Sequence, residues 1–264
     1  MCELFAMSAR HASTVSLSLE EFSRHGGLSG PHKDGWGIAW YEERDVRLVK
    51  ETYPAASSAC VRFIQINPFS SELVMSHIRR ATRGPVASRN CQPFVRELGG
   101  AWHCFVHNGD LPGISQDRRL GSESFRPVGE TDSEQAFCAL LETLRPLWSL
   151  TSLPSLDERK QVIAQFAASL RERGPANFLY SDGDALFAHA DRRHQNDGSI
   201  GAPGMWRLAR RCPSGGELAA EGLRIASDRG EQEVLLVASV PLTREEWVPL
   251  AEGEILVARQ GRIQ

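Results

Sequence analysis

The sequence predicts an α+β layered domain, and two observations carry that expectation. Short strand-like runs fill both ends of the chain, while two long amphipathic patterns sit side by side in the middle. The regular strand–helix alternation of a βαβ repeat is missing. A length of 264 residues lies at the upper end of one compact domain. No internal repeat, low-complexity tract or long linker divides the chain, which leaves one domain or two small ones.

In chain order, Cys2–Met7 reads as a short buried strand. Gly35–Trp40 and Val46–Glu51 alternate as a hairpin joined through Glu42-Glu-Arg-Asp45. Ser57–Ile66 has helical spacing, and Glu72–Ile78 and Ala101–His107 read as strands that run into polar, turn-forming segments. Thr131-Asp-Ser-Glu134 opens a helix with a capping-box signature and apolar residues at Ala136, Phe137, Leu140, Leu141 and Leu144. Asp157–Arg173 repeats the pattern at Val162, Ile163, Phe166, Ala167 and Leu170. Short strands follow at Phe178–Ser181, Ala185–His189, Met205–Leu208, Leu223–Ala226, Val234–Val240, Trp247–Leu250 and Glu254–Ala258. The Gly/Pro-rich stretches Gly26–Pro31, Arg118–Gly129 and Arg192–Gly204 read as loops.

Composition narrows the function classes. Hydrophobic residues make up 41% and charged residues 24%, the balance of a soluble globular chain. Thirty Lys plus Arg against thirty-three Asp plus Glu give a formal charge of −3, which argues against a nucleic-acid binder. The longest apolar run, Val234–Val240, is too short to span a bilayer, and the N-terminus lacks the pattern of a signal peptide. A cytoplasmic protein is expected. The six cysteines form no C-x-x-C pair, so neither a structural zinc site nor a disulfide scaffold is expected, and most read as reduced, buried fillers.

Cys2 is the exception. Removal of Met1 would give it a free α-amine beside its thiol, a nucleophile with its own base on one residue. Their unperturbed pKa values, roughly 7.7–8.0 and 8.5, permit proton relay near neutral pH. Taken alone, Cys2 is still better read as an ordinary buried strand residue. Its company changes the reading. His107-Asn-Gly109 offers a side-chain amide and an unshielded backbone N–H to a developing oxyanion. Arg79 and Asp132 supply a cation and an anion matching the α-carboxylate and α-amine of a free amino-acid head. Each also has an ordinary reading: a turn, a solvated arginine, a helix cap.

In this order, Met1-Cys-Glu-Leu-Phe5, Asp34-Gly-Trp-Gly-Ile-Ala39, His77-Ile-Arg-Arg-Ala-Thr-Arg-Gly84, Asn90-Cys-Gln-Pro-Phe94, His107-Asn-Gly109 and Gly129-Glu-Thr-Asp-Ser-Glu134 resemble the class II glutamine amidotransferases, the N-terminal-nucleophile glutaminases. The closest likeness is to compact stand-alone members without an appended synthetase, a subgroup that Ala238-Ser-Val-Pro-Leu-Thr243, Trp247 and Gly253-Glu254 also resemble. The resemblance runs nearly end to end and implies a single domain over residues 1–264, a four-layer αββα sandwich, and a cysteine that attacks the side-chain amide of glutamine, giving a thioester that water hydrolyses. It assigns nucleophilic attack to Cys2, the oxyanion hole to Asn108 and Gly109, the α-carboxylate to Arg79 with Thr82, and the α-amine to Asp132. Asp34, Gly35, Trp36 and Gly37 would support the nucleophile. No cofactor or metal is implied.

The sequence departs from the commonest pattern at Arg80, where some relatives carry an aromatic residue, at Arg83, where several carry histidine, and at Gln92, where others have histidine. Gln92 receives no catalytic role, and His77 and His107 read as structural. Trp36, Trp40 and Trp102 read as core or pocket wall. The expected partners are glutamine or another γ-glutamyl amide and, for released ammonia, a separate synthetase subunit, since 264 residues leave no room for a second active site. Two other readings stand beside glutamine hydrolysis: a hydrolase of a larger γ-glutamyl conjugate, and a catalytically silent glutamine-binding regulatory subunit.

Overall fold

The computed structural model describes residues 2–14, 22–28, 30–148, 152–195, 198–212, 218–220, 223–225 and 231–264. Its strands are β1 (Glu3–Thr14), β2 (Trp36–Glu42), β3 (Asp45–Glu51), β4 (Ser70–Ile78), β5 (Phe94–Leu98), β6 (Ala101–Gly109), β7 (Ala176–Ser181), β8 (Leu186–His189), β9 (Arg193–His194), β10 (Ile200–Gly201), β11 (Trp206–Cys212), β12 (Leu218–Ala220), β13 (Leu223–Ile225), β14 (Gln232–Ala238), β15 (Val248–Pro249), β16 (Ile255–Arg259) and β17 (Arg262–Ile263). The helices of eight residues or more are α1 (Ala59–Ile66), α2 (Asp132–Trp148) and α3 (Leu156–Arg171). None of the described helices is long and apolar enough to cross a membrane.

Two antiparallel sheets stack face to face. One runs β15-β11-β14-β1-β4-β2-β3 and the other β17-β16-β8-β7-β6-β5. The period-2 alternation of each strand builds the layers. On β1, Leu4 and Ala6 face the second sheet and pack with Val106, Leu179 and Ala188, while Phe5, Met7 and Ala9 face outward beneath Val61 and Ile64 of α1. On β6, Val106 faces the first sheet and Phe105 faces α2 and α3, against Phe137 and Phe166. The result is the four-layer αββα sandwich, in which both sheets are covered on both faces.

Most predicted elements are present with shifted ends. The turn of the β2–β3 hairpin tightens to Glu43 and Arg44, because Glu42 pairs with Asp45. Ser58 caps α1, its hydroxyl accepting from the Val61 N–H. Thr131 caps α2 by accepting from the Glu134 N–H at 3.2 Å, but the box is only half made. The Glu134 carboxylate turns instead to the Gly129 N–H and to Arg96. The full capping box lies on α3, between Ser155 and Glu158, where the sequence reading placed none. The buried Arg159 guanidinium bridges Asp182 (2.7 Å) and Asp184 (2.9 Å), tying α3 to the β7–β8 turn. Strand β5 was not expected. Within the loop expected at Arg192–Gly204, residues 193–194 and 200–201 pair as a short ribbon, and residues 196–197 lie outside the described residues. Ala226, expected to end a strand, also lies outside them.

Candidate active site

Strand β1 lies between β14 and β4 at the centre of the larger sheet, with Glu3 opposite Ile78. That register brings Cys2, one residue before β1, beside the residues that follow β4. The Arg80 N–H lies 3.3 Å from the Cys2 sulfur, and the thiol reaches the Arg80 carbonyl at 3.4 Å. The second sheet delivers the end of β6 to the same place, where the Asn108 side-chain amide donates to the Cys2 carbonyl. The sequence reading ended the strand at His107 and weighed a turn as the ordinary reading of His107-Asn-Gly109. These residues are instead its last three, paired with Ala176–Phe178 of β7.

Strand alternation then orients Gly109. Asp110 donates its N–H to the Pro175 carbonyl on the β7 side, and His107 donates to the Gln92 side chain on the opposite side. Gly109, two residues from His107, turns its N–H the same way as His107, past the point where β5 begins. A Cβ on Gly109 would collide with the Pro175 carbonyl, so only glycine lets β6 and β7 close here. Gln92 has a structural job: its amide accepts from the His107 N–H at 2.6 Å and donates to the His107 carbonyl at 3.3 Å, prolonging the β5 edge.

Arg79 is 3% exposed. Its guanidinium donates to the carbonyls of Pro85 (3.0 Å), Arg83 (2.9 Å) and Gly84 (3.2 Å), so the loop after β4 folds around it. No ion pair forms on it among the described residues. Asp132 begins α2 but does not cap it. Its carboxylate accepts from the Leu111 N–H (2.8 Å) and the Ser133 N–H (2.9 Å) and lies 3.8 Å from the Arg83 guanidinium. Arg83 is held more closely by Asp110, at 2.7 Å.

The flanking motifs brace this arrangement. The Asp34 carboxylate accepts from the Ala81 N–H at 2.7 Å, and backbone bonds join Asp34 and Gly35 to Arg79. Gly35 has φ +122°, and a side chain there would meet the Cys91 sulfur at 2.6 Å. A side chain at Gly37 would collide with the Gln92 carbonyl. Trp36 is buried in the outer core with its indole N–H on Glu51, and Trp40 stacks on Phe69. Asn90 bridges Pro85 and Glu130, joining the loop around Arg79 to the segment before Asp132.

Cys2 opens onto a cavity of about 1090 Å³ whose wall also includes Thr82, Arg83 and Gly109. Burial raises the thiol pKa; the Arg80 N–H and the Arg79 charge oppose this, and Asp132 reinforces it. Both charges expected to read an amino-acid head therefore act on the sulfur. Burial also lowers His107, and it lowers His77 to about 3 with help from Arg79, so both rings are neutral near pH 7. His107 Nδ1 bonds the Ser133 hydroxyl at 2.9 Å, linking β6 to the start of α2. Cys2, Cys60, Cys91, Cys104 and Cys138 are all free thiols.

Of the chosen residues, Cys2, Thr82 and Gly109 stand in the cavity wall, whereas Asn108 meets the Cys2 carbonyl, Arg79 is enclosed by the carbonyls of Arg83, Gly84 and Pro85, and Asp132 is held by the Leu111 and Ser133 N–H groups. The sequence reading missed Asp110 as the partner of Arg83, and missed Pro112, Arg173, His194 and Ile200 as cavity wall. Asp110, next after Asn108-Gly109, was within reach of sequence reasoning; the others carry no local signal. Met1, whose removal would free the Cys2 amine, lies outside the described residues.

A family model for class II glutamine amidotransferases matches residues 1–264. A protein of Escherichia coli K12 named "Putative glutamine amidotransferase YafJ" is 36% identical over 259 residues, 96% of each chain. A solved structure described as a predicted glutamine amidotransferase from Pseudomonas aeruginosa has 33% identity, a TM-score of 0.70 and 99% coverage of both chains. The Bacillus subtilis glutamine phosphoribosylpyrophosphate amidotransferase shares the fold at 16% identity and TM-score 0.62, this chain matching 48% of its length. The chain belongs to the class II glutamine amidotransferases.

Proposed function

We propose that this protein hydrolyses the side-chain amide of glutamine through Cys2, releasing ammonia and glutamate. The observation that carries the proposal is that Cys2 and Gly109 share one cavity wall, while the Asn108 amide reaches the Cys2 carbonyl and the opposite charges of Arg79 and Asp132 act on the Cys2 sulfur. In this reading Met1 is removed and the Cys2 α-amine takes the thiol proton as sulfur adds to the amide carbon. A thiol held neutral by burial needs such a base. Asn108 and Gly109 donate to the oxyanion, each such donor being worth roughly 2.7–4 kcal/mol in comparable sites. The α-ammonium returns the proton to the departing ammonia, and water then cleaves the thioester, regenerating the thiol. Arg79 and Thr82 take the α-carboxylate and Asp132 the α-amine. The ammonia passes to an acceptor on a separate chain or is itself a product.

Replacing Cys2 by Ala should lower glutamine turnover by more than about 10³-fold while leaving the melting temperature unchanged. Unchanged turnover in Cys2→Ala would remove Cys2 from the mechanism. One observation favours a second reading, a γ-glutamyl amide larger than glutamine: the cavity, at about 1090 Å³, reaches the size of pockets that hold drug-sized ligands.

A further inference from the structure

The residue next to Cys2 is a buried carboxylate. Glu3 is 6% exposed, and burial alone would push its carboxyl up. The His25 hydrogen bond and the charges of His25, His32 and Arg193 outweigh burial and hold it below the usual carboxylate range. His25 Nδ1 donates to one carboxylate oxygen at 2.7 Å. His32 Nδ1 lies 3.9 Å from the other and donates to the His25 carbonyl at 3.3 Å. Both rings come from the segment before β2, which closes on itself at a Gly26–Pro31 bridge and packs Phe22 against Phe5 of β1, ring centroids 6.0 Å apart. Arg193 arrives from β9, donating to the Ser239 carbonyl.

This cluster sits where β1 runs out of strand partners. Towards β14, pairing starts only at Phe5, opposite Ala238. Leu4 is then bracketed by Ser239, whose N–H donates to the Leu4 carbonyl and whose hydroxyl accepts from the Leu4 N–H, both at 3.0 Å. Glu3, one residue before that, is held by its pairing with Ile78 of β4 and by its own side chain. With Met1 removed, Cys2 ends the chain, and chain ends fray unless tied down. A nucleophile must be held within about 0.5 Å of its productive position. The segment that supplies His25 and His32 also supplies Asp34, which braces the loop after Arg79, so one piece of chain fixes both.

We propose that Glu3 is a positioning residue for the nucleophile: its carboxylate, clamped by His25 and His32, fixes the Cys2–Glu3 peptide and with it the direction of the Cys2 thiol and α-amine. This rests on the cysteine-dependent hydrolysis proposed above. Glu3 acts through the backbone; the side-chain charges that act on the sulfur are those of Arg79 and Asp132, and none of Glu3, His25 and His32 belongs to the cavity wall.

The test measures kcat and KM for glutamine in Glu3→Gln, His25→Ala and the double variant, each kcat divided by the fraction of chains that a glutamine-like electrophile labels on Cys2. In each single variant kcat per labelled site should fall by about tenfold to a hundredfold, with KM within about twofold. The double variant should fall no further than the worse single one, as expected for two ends of one contact. Counting labelled sites separates a misplaced thiol from a loss of folded protein. His25→Ala removes the same bond from its more exposed end, which keeps the test open if Glu3→Gln folds poorly. An unchanged kcat per labelled site, a change confined to KM, or losses that multiply in the double variant would overturn the inference while leaving cysteine-dependent hydrolysis standing. Absence of glutamine turnover in the unaltered protein would overturn the reading beneath it as well.

Discussion

Asp132 shows how a single side chain can be read in two ways that the structure separates. An aspartate at a helix start is ordinarily a cap, but Thr131 fills that place, and the Asp132 carboxylate is instead fixed by the N–H groups of Leu111 and Ser133. It is 9% exposed and shares Arg83 with Asp110, so its charge is held at the site without being used up in the helix. Asp132→Asn should therefore leave the fold intact and weaken glutamine binding by about 1.5–3 kcal/mol, a roughly ten- to hundredfold rise in KM. An unchanged KM would remove Asp132 from recognition of the α-amine. At this scale the sequence was informative where residue types cluster locally, as at Cys2, Arg79, Asn108-Gly109 and Asp132. It marked Arg83 as a departure but was silent on its contacts, the guanidinium meeting Asp110 across 27 positions and the carbonyl holding Arg79, because contacts made through folded loops leave no periodic trace.

Among the elements, α3 rests on two devices of different kinds. Ser155 and Glu158 satisfy its first turn reciprocally, and Arg159 anchors it to Asp182 and Asp184. Removing the cap by Ser155→Ala should cost about 1 kcal/mol and lower the melting temperature by about 2–4 °C, with activity at low temperature retained. An unaltered melting temperature would mean that the Arg159 bridge alone sets the helix. The elements that sequence reasoning misjudged share a cause. His107-Asn-Gly109 has turn composition, yet pairing with Ala176–Phe178 keeps it extended, because local propensity yields to a partner strand. Phe94–Leu98 has only five residues and two charges, too weak a pattern to stand out, and it becomes a strand because β6 offers it an edge.

For the whole molecule, the two-sheet stack buries His77, His103 and His189, and burial lowers them to about 3, 4 and 4. In the unfolded chain they titrate near 6.5, so between roughly pH 6.5 and 4 the unfolded state binds more protons than the folded one. Stability is full above about pH 6.5 and falls as pH drops, by up to about 1.4 kcal/mol per pH unit for each histidine. Urea unfolding at pH 7.5 and pH 5.0 should show a clearly lower midpoint at the acidic pH; coincident midpoints would contradict the buried-neutral assignment. The layering itself was legible from the sequence only as many strands around two central helices. Which faces meet depends on pairings such as β1 with β14, some 230 positions apart, and no local pattern encodes them. That same long-range pairing places β1 at the centre of the sheet, and Cys2, the residue before it, in the cavity wall, on which the proposed chemistry depends. The most direct test is the intact mass of the native protein before and after treatment with a glutamine-like electrophile. The account predicts a chain lacking Met1 that gains one label, located on Cys2 and suppressed by excess glutamine. A chain that retains Met1 and leaves Cys2 unlabelled would contradict it.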